Sequence, residues 1–114
     1  MDDLLNKKCV PCEGGVKPLT HDEIQSNLKK TPGWEHHKDN DVDTISITVQ
    51  LEDFEQLRME LAKICYVASL ENHHPDVLFG YNEIVISFHT HAIGGLSDND
   101  FICAAKINNL LNID

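Results

Sequence analysis

Basic residues are scarce in this chain: nine Lys and Arg stand against nineteen Asp and Glu, a formal net charge of -10. Phosphate backbones would repel such a surface, so direct binding to DNA or RNA is not expected. Action on transcription through another protein stays open. No apolar run approaches the length that spans a bilayer, and no membrane partner is expected. The start, Met1-Asp2-Asp3-Leu4-Leu5, lacks the basic and apolar regions of a signal peptide. Cytosol or nucleus is the expected setting. Repeats and low-complexity segments are absent. Four cysteines do not make a disulfide framework in a chain of this kind. Cys9 and Cys12 form one Cys-x-x-Cys pair with no second pair at zinc-ribbon spacing, which leaves a local structural role, zinc or redox chemistry open. Cys65 and Cys103 fall within apolar helical patterns and read as buried thiols.

What remains, 114 residues at 41% hydrophobic and 25% charged, suits one globular domain with one core. Residues 1–18, punctuated by Pro11, Gly14, Gly15 and Pro18, read as an irregular arm, and 19–114 as the domain. A helix is expected over Leu19–Lys30, with Thr20 and Glu23 at capping-box spacing and Pro32-Gly33 as its stop. Trp34–His37 and Val42–Val49 read as strands around a polar turn; Ile45, Ile47 and Val49 share one face. Leu51–Leu70 carries the strongest helical pattern, through Phe54, Leu57, Leu61, Ile64, Cys65 and Ala68. If Leu61 is buried, truncating it to Ala costs roughly 2–5 kcal/mol. Val77–Phe79 and Glu83–His89 form a hairpin around Gly80-Tyr81-Asn82. Gly94-Gly95 marks a turn, and Ser97 with Asp100 opens a last helix. The order α-β-β-α-β-β-α predicts an α+β domain: a four-stranded antiparallel sheet with three helices on one face. Its unprotected edges suit sheet extension in an oligomer.

Residues 73–91 carry the chemistry. His74 precedes Pro75, which pushes it towards extended or polyproline geometry. There successive side chains turn by about 120°, so His73 and His74 can face one cleft. The hairpin folds residues 75 and 90 together and brings His91 to the same end of the sheet. His89 is placed to line that cleft too. His36 and His37 read as solvent-facing strand residues, and His21 as exposed. Three converging imidazoles suit proton transfer or metal binding, although His-His-Pro is not a standard chelating spacing.

His73-His74-Pro75, five residues, Tyr81, nine residues, His91, eight residues and Asp100 together resemble the signature of the pterin-4a-carbinolamine dehydratases. The similarity covers Leu19–Leu111 and includes Gly33-Trp34, the long second helix and Gly95-Leu96-Ser97. The run Cys9-Val10-Pro11-Cys12-Glu13-Gly14-Gly15 resembles an extension of some bacterial, plant and protist members. Ser69 and Asn72 depart from it: they stand where acidic residues are frequent in the family, leaving the cluster short of carboxylate neighbours.

The resemblance implies a hydro-lyase that works without metal or other cofactor. Its substrate would be the 4a-hydroxytetrahydropterin left by aromatic amino acid hydroxylases, and its product a quinonoid dihydropterin. It further implies His73 and His91 as the acid/base pair and His74 as an orienting or binding group. Asn72 and Thr90 would bond the pterin, Trp34 would pack against it, and Asp100 would serve the site or the helix cap. A homodimer or homotetramer is implied, with a hydroxylase or a transcription factor as possible protein partner. The alternative is a non-catalytic protein-binding module on the same fold, a coactivator or an assembly factor.

Overall fold

The computed structural model describes residues 3–10 and 16–114. A 3₁₀ helix, Asp3–Asn6, comes first, and Leu4 is buried in the core. The arm is therefore not irregular throughout. Cys12, Pro11, Gly14 and Gly15 lie outside the described residues.

Helix α1 (His21–Leu28) is shorter than its apolar pattern suggests. Its capping box forms as expected: the Glu23 amide donates to Thr20 Oγ1 (3.3 Å), and the Thr20 amide donates to Glu23 Oε1 (2.8 Å). The chain then reverses at Gly33, whose φ of +90° only glycine adopts without strain. A Cβ there would also sit 2.9 Å from Ile47 Cδ1.

Strands β1 (Glu35–Asp39) and β2 (Val42–Gln50) pair antiparallel, from Glu35 opposite Ser46 to Asp39 opposite Val42. Asn40 and Asp41, at φ 53° and 65°, form the two-residue turn. Both positions need positive φ if the turn is to match strand twist, and Asn and Asp tolerate it. His36 is not solvent-facing: its Nε2 lies 2.7 Å from Asp43 Oδ1 across this hairpin.

Helix α2 (Phe54–Glu71) starts at Asp53, which caps the Gln56 amide at 2.9 Å, and ends at Asn72 in the left-handed conformation. Its buried face is rotated from the expected stripe. Leu57, Ile64, Val67, Ala68 and Glu71 are buried, Leu61 is only half-buried, and Phe54 and Cys65 are exposed. Positions 57, 60, 64, 67 and 71 run along one side at three- and four-residue steps. Cys65 lies about 100° around the helix from Ile64 and falls outside that side.

Strands β3 (Asp76–Phe79) and β4 (Glu83–Phe88) complete an antiparallel sheet of order β1-β2-β4-β3. Ile45 lies opposite Phe88, and Ile47 opposite Ile86, on the face that the helices cover. The other face carries Ser46, Thr48 and Ser87. Helix α3 (Asp98–Leu111) is the central helix, with Phe101 to Ala105 all buried. The expected α-β-β-α-β-β-α order holds.

Candidate active site

One cleft of about 580 Å³ gathers Asn72, His73, His74, His89, Thr90 and His91, and the arm residues Cys9 and Val10 also line it. That volume suits a small-molecule ligand. Local structure explains the convergence. Asn72 ends α2 at φ 52°, so the chain turns sharply and the His73 amide donates back to Ala68 O at 3.2 Å. On the opposite wall β4 ends at Phe88. A bridge, Thr90 N–H to Gly95 O at 2.7 Å, closes a loop that holds the 3₁₀ turn His91–Ile93. Gly95 packs against the arm, where a Cβ would meet Pro18 Cβ at 2.9 Å.

The three histidines differ in environment. His74 and His91 are exposed. His73 keeps only 14% of its side-chain exposure, and its ring stacks on Phe88 at 5.6 Å with an interplanar angle of 6°. His73 Nε2 lies 2.7 Å from Oδ1 of the fully buried Asp100. Asp100 Oδ2 accepts from Thr90 Oγ1 (2.7 Å) and from the Ser97 amide (2.9 Å). Thr90 and Ser97 hydroxyls lie 2.6 Å apart, and Thr90 has already directed its only proton at Asp100, so Ser97 donates to Thr90. A carboxylate that collects these donors is the ionised, acceptor-only form. Nε2 of His73 therefore carries a hydrogen, and in the neutral ring Nδ1 holds the lone pair. A carboxylate placed in this way fixes the tautomer and orientation of an imidazole.

The other expected site residues do not all reach the cleft. Thr90 lines the cleft, but its hydroxyl proton belongs to Asp100. Trp34 does not line it: the indole is buried, packs on Phe88 at 5.8 Å and donates Nε1–H to Asn108 Oδ1 at 2.9 Å. Asn72 is exposed at the rim. Asp100 joins both expected readings, holding His73 and capping α3.

Sequence reasoning missed Glu71, Asn99 and the arm. The Glu71 carboxylate is buried, accepts from Lys106 Nζ at 2.7 Å and from the Cys9 amide at 2.8 Å, and lines the cleft. Burial alone would push its carboxyl up, but the Lys106 ammonium and the Cys9 amide outweigh it and hold the group below the usual carboxylate range. Ser69 and Asn72 thus do not leave the cleft without carboxylates. Asn99 clamps Val10: its Oδ1 accepts from the Val10 amide at 3.1 Å, and its Nδ2 donates to the Val10 carbonyl at 2.7 Å. Among the described residues, no three His, Cys, Asp or Glu side chains are grouped to hold a metal ion.

The family model of the pterin 4 alpha carbinolamine dehydratases matches residues 17–110. The chain belongs to this family. Among pterin carbinolamine dehydratase relatives, a Nitrosomonas eutropha protein, provisionally named as such an enzyme, is 46% identical over 96% of this chain and 94% of its own length. Pterin-4-alpha-carbinolamine dehydratase 2, mitochondrial, of Arabidopsis thaliana is 41% identical over 95% of this chain and 59% of its own. A Brucella melitensis crystal structure, described as a transcriptional coactivator/pterin dehydratase, superposes with a TM-score of 0.75 at 26% identity, covering 82% of this chain and 98% of that one. A pterin dehydratase-like protein described as a RuBisCO assembly factor shares the fold, with a TM-score of 0.59 at 15% identity over 71% of this chain and 92% of its own. No helix among the described residues is long and apolar enough to cross a membrane.

Proposed function

We propose that this family member dehydrates a 4a-hydroxytetrahydropterin to a quinonoid dihydropterin and water, and so recycles the cofactor of aromatic amino acid hydroxylases. The observation that carries the reading is the anchored imidazole: His73, fixed by buried Asp100, on a cleft that also holds His74 and His91. The reaction needs a base at the ring nitrogen beside the carbinol carbon and an acid at the leaving hydroxyl. His73, with Nδ1 free, takes the proton from nitrogen. Protonated His91, exposed at the mouth, delivers a proton to the hydroxyl as the carbon–oxygen bond breaks. The nitrogen–hydrogen electron pair becomes the new carbon–nitrogen double bond, and water leaves. The two rings exchange protons through solvent before the next turnover. His74 and Asn72, at the rim, orient the pterin. No electrons are transferred, so the chemistry requires no redox cofactor.

Purified protein should accelerate loss of the 4a-hydroxypterin absorbance. His73→Ala and His91→Ala should each slow it by about 10²–10⁴-fold. Undiminished turnover in both variants would sink the assignment. Prolonged chelation should leave the rate unchanged; a chelator-sensitive enzyme would revive the metal reading. Self-association belongs to the same proposal. Leu78 (74% exposed) and Phe79 (49%) lie on edge strand β3, with Tyr81 (67%) in the turn beside it. This is an apolar edge suited to pairing with a second copy.

A further inference from the structure

A pair of sulfurs meets behind the wall of the cleft. Cys9 Sγ lies 3.6 Å from Cys103 Sγ, across 94 positions of sequence. Cys103 is fully buried on α3, whereas Cys9 is half-buried and lines the cleft. The meeting is built from both sides of Cys9. Its own amide is held by Glu71, and both backbone groups of the next residue are held by Asn99. Cys9 also lies 3.6 Å from the Asn99 carbonyl, which takes the Cys9 thiol proton. The Cys103 thiol must then point its proton at Cys9 sulfur. That bond, together with burial, pushes the Cys103 thiol far up and keeps it protonated.

We propose that Cys9 and Cys103 are a redox-sensitive dithiol that closes to a reversible disulfide under peroxide, tying the arm to α3 at the wall of the cleft. The two sulfurs have unequal tasks. Cys9, reachable from the cleft, reacts first: its thiol releases its proton, the thiolate attacks one peroxide oxygen, the oxygen–oxygen bond breaks, and a sulfenic acid and a hydroxide form, the hydroxide taking up the released proton as water. Oxidation of Cys9 removes the hydrogen bond that held the Cys103 proton, and Cys103 sulfur then attacks Cys9 sulfur as that proton leaves. The sulfur–oxygen bond breaks, and the departing hydroxide takes the Cys103 proton as water. Two thiols lose two electrons, and one hydrogen peroxide becomes two waters. Closing the gap to a bond of about 2.05 Å takes a shift of roughly 1.5 Å. The Cys9 side can supply it, because Cys9 is only half-buried and its backbone is held by polar contacts, whereas Cys103 is fully buried on α3. The inference does not depend on the dehydratase reading.

The test uses full-length protein carrying Cys12→Ser and Cys65→Ser, treated with hydrogen peroxide, alkylated and digested with trypsin. The intact mass should fall by two hydrogens. The fragment beginning at Cys9 should be joined to residues 64–106, whose sole remaining thiol is Cys103. A thiol reductant should restore both fragments. Recovery of Cys9 and Cys103 both alkylated, or of Cys9 solely as sulfinic or sulfonic acid, overturns the proposal. In protein carrying only Cys65→Ser, Cys12 competes for Cys9. A Cys9–Cys12 bond there, to the exclusion of Cys9–Cys103, overturns it as well.

Discussion

Asp100→Asn removes a charge and almost no volume, and the network around it dictates the outcome. Asp100 accepts three hydrogen bonds, at 2.7 Å from His73, 2.7 Å from Thr90 and 2.9 Å from the Ser97 amide. An asparagine has one oxygen to offer. With its amino group towards Thr90 and Ser97, it opposes two donors. Thr90 can rotate its hydroxyl, but the buried Ser97 N–H cannot move and would go unpaired, at about 1–3 kcal/mol. With its amino group towards His73 that penalty disappears, and the imidazole answers by presenting a lone pair at Nε2. The second orientation should win.

The fold then survives with a modest loss, on the order of 1 kcal/mol, as charge-assisted bonds become neutral ones. The chemistry does not survive: the hydrogen has moved to Nδ1, and the proposed base has lost its lone pair. We expect kcat to fall by about 10²–10⁴-fold. Stopped-flow dehydration measures the rate, urea unfolding the stability, and imidazole ¹⁵N shifts the tautomer of His73. Wild-type turnover with an unchanged tautomer would refute the assignment of Nδ1 as the base.

Three further outcomes are expected. Leu57→Ala, at a fully buried position, should cost about 2–5 kcal/mol in denaturant unfolding, and Leu61→Ala distinctly less because Leu61 is half-buried; equal losses would contradict the rotated face of α2. Glu71→Gln should destabilise the protein at neutral pH. Because the folded-state carboxyl is held low, its contribution is present above the unfolded value of about 4.3 and fades as pH falls through the folded value. Unfolding across a pH series should show the variants converging in acid, and a pH-independent gap would argue against the Glu71–Lys106 pairing. Leu78→Lys should shift sedimentation towards monomer by charging the β3 edge; unchanged sedimentation would place any self-association elsewhere.

Local signals were legible because local physics produces them. The Thr20–Glu23 box, the alternation along β2 and β4 and the turn at Gly80–Asn82 depend on residues a few positions apart. Even the histidine convergence followed from a proline, a hairpin and a glycine turn. What the sequence could not show depends on remote partners. Trp34 reads as a residue that would pack against the pterin until Asn108, 74 positions away, takes its N–H. Glu71 carries no signal of its burial along the chain; Lys106, 35 positions away, pairs with it. Cys65 and Val67 are both apolar and two positions apart; which faces inward is set by what α2 packs against, not by the pattern along it.

The first turns of α3 connect what the sequence presents as separate motifs. Asp100 holds His73, Asn99 holds Val10, and Cys103, one turn beyond Asn99 on the same side, meets Cys9. One buried helix therefore anchors both the proposed base and the arm beside it. A packed helix moves as a unit rather than residue by residue, so displacement of the arm and misplacement of His73 would share one structural element. That arrangement gives the arm a physical reason to belong to the site, although the proposed acid and base both lie outside it.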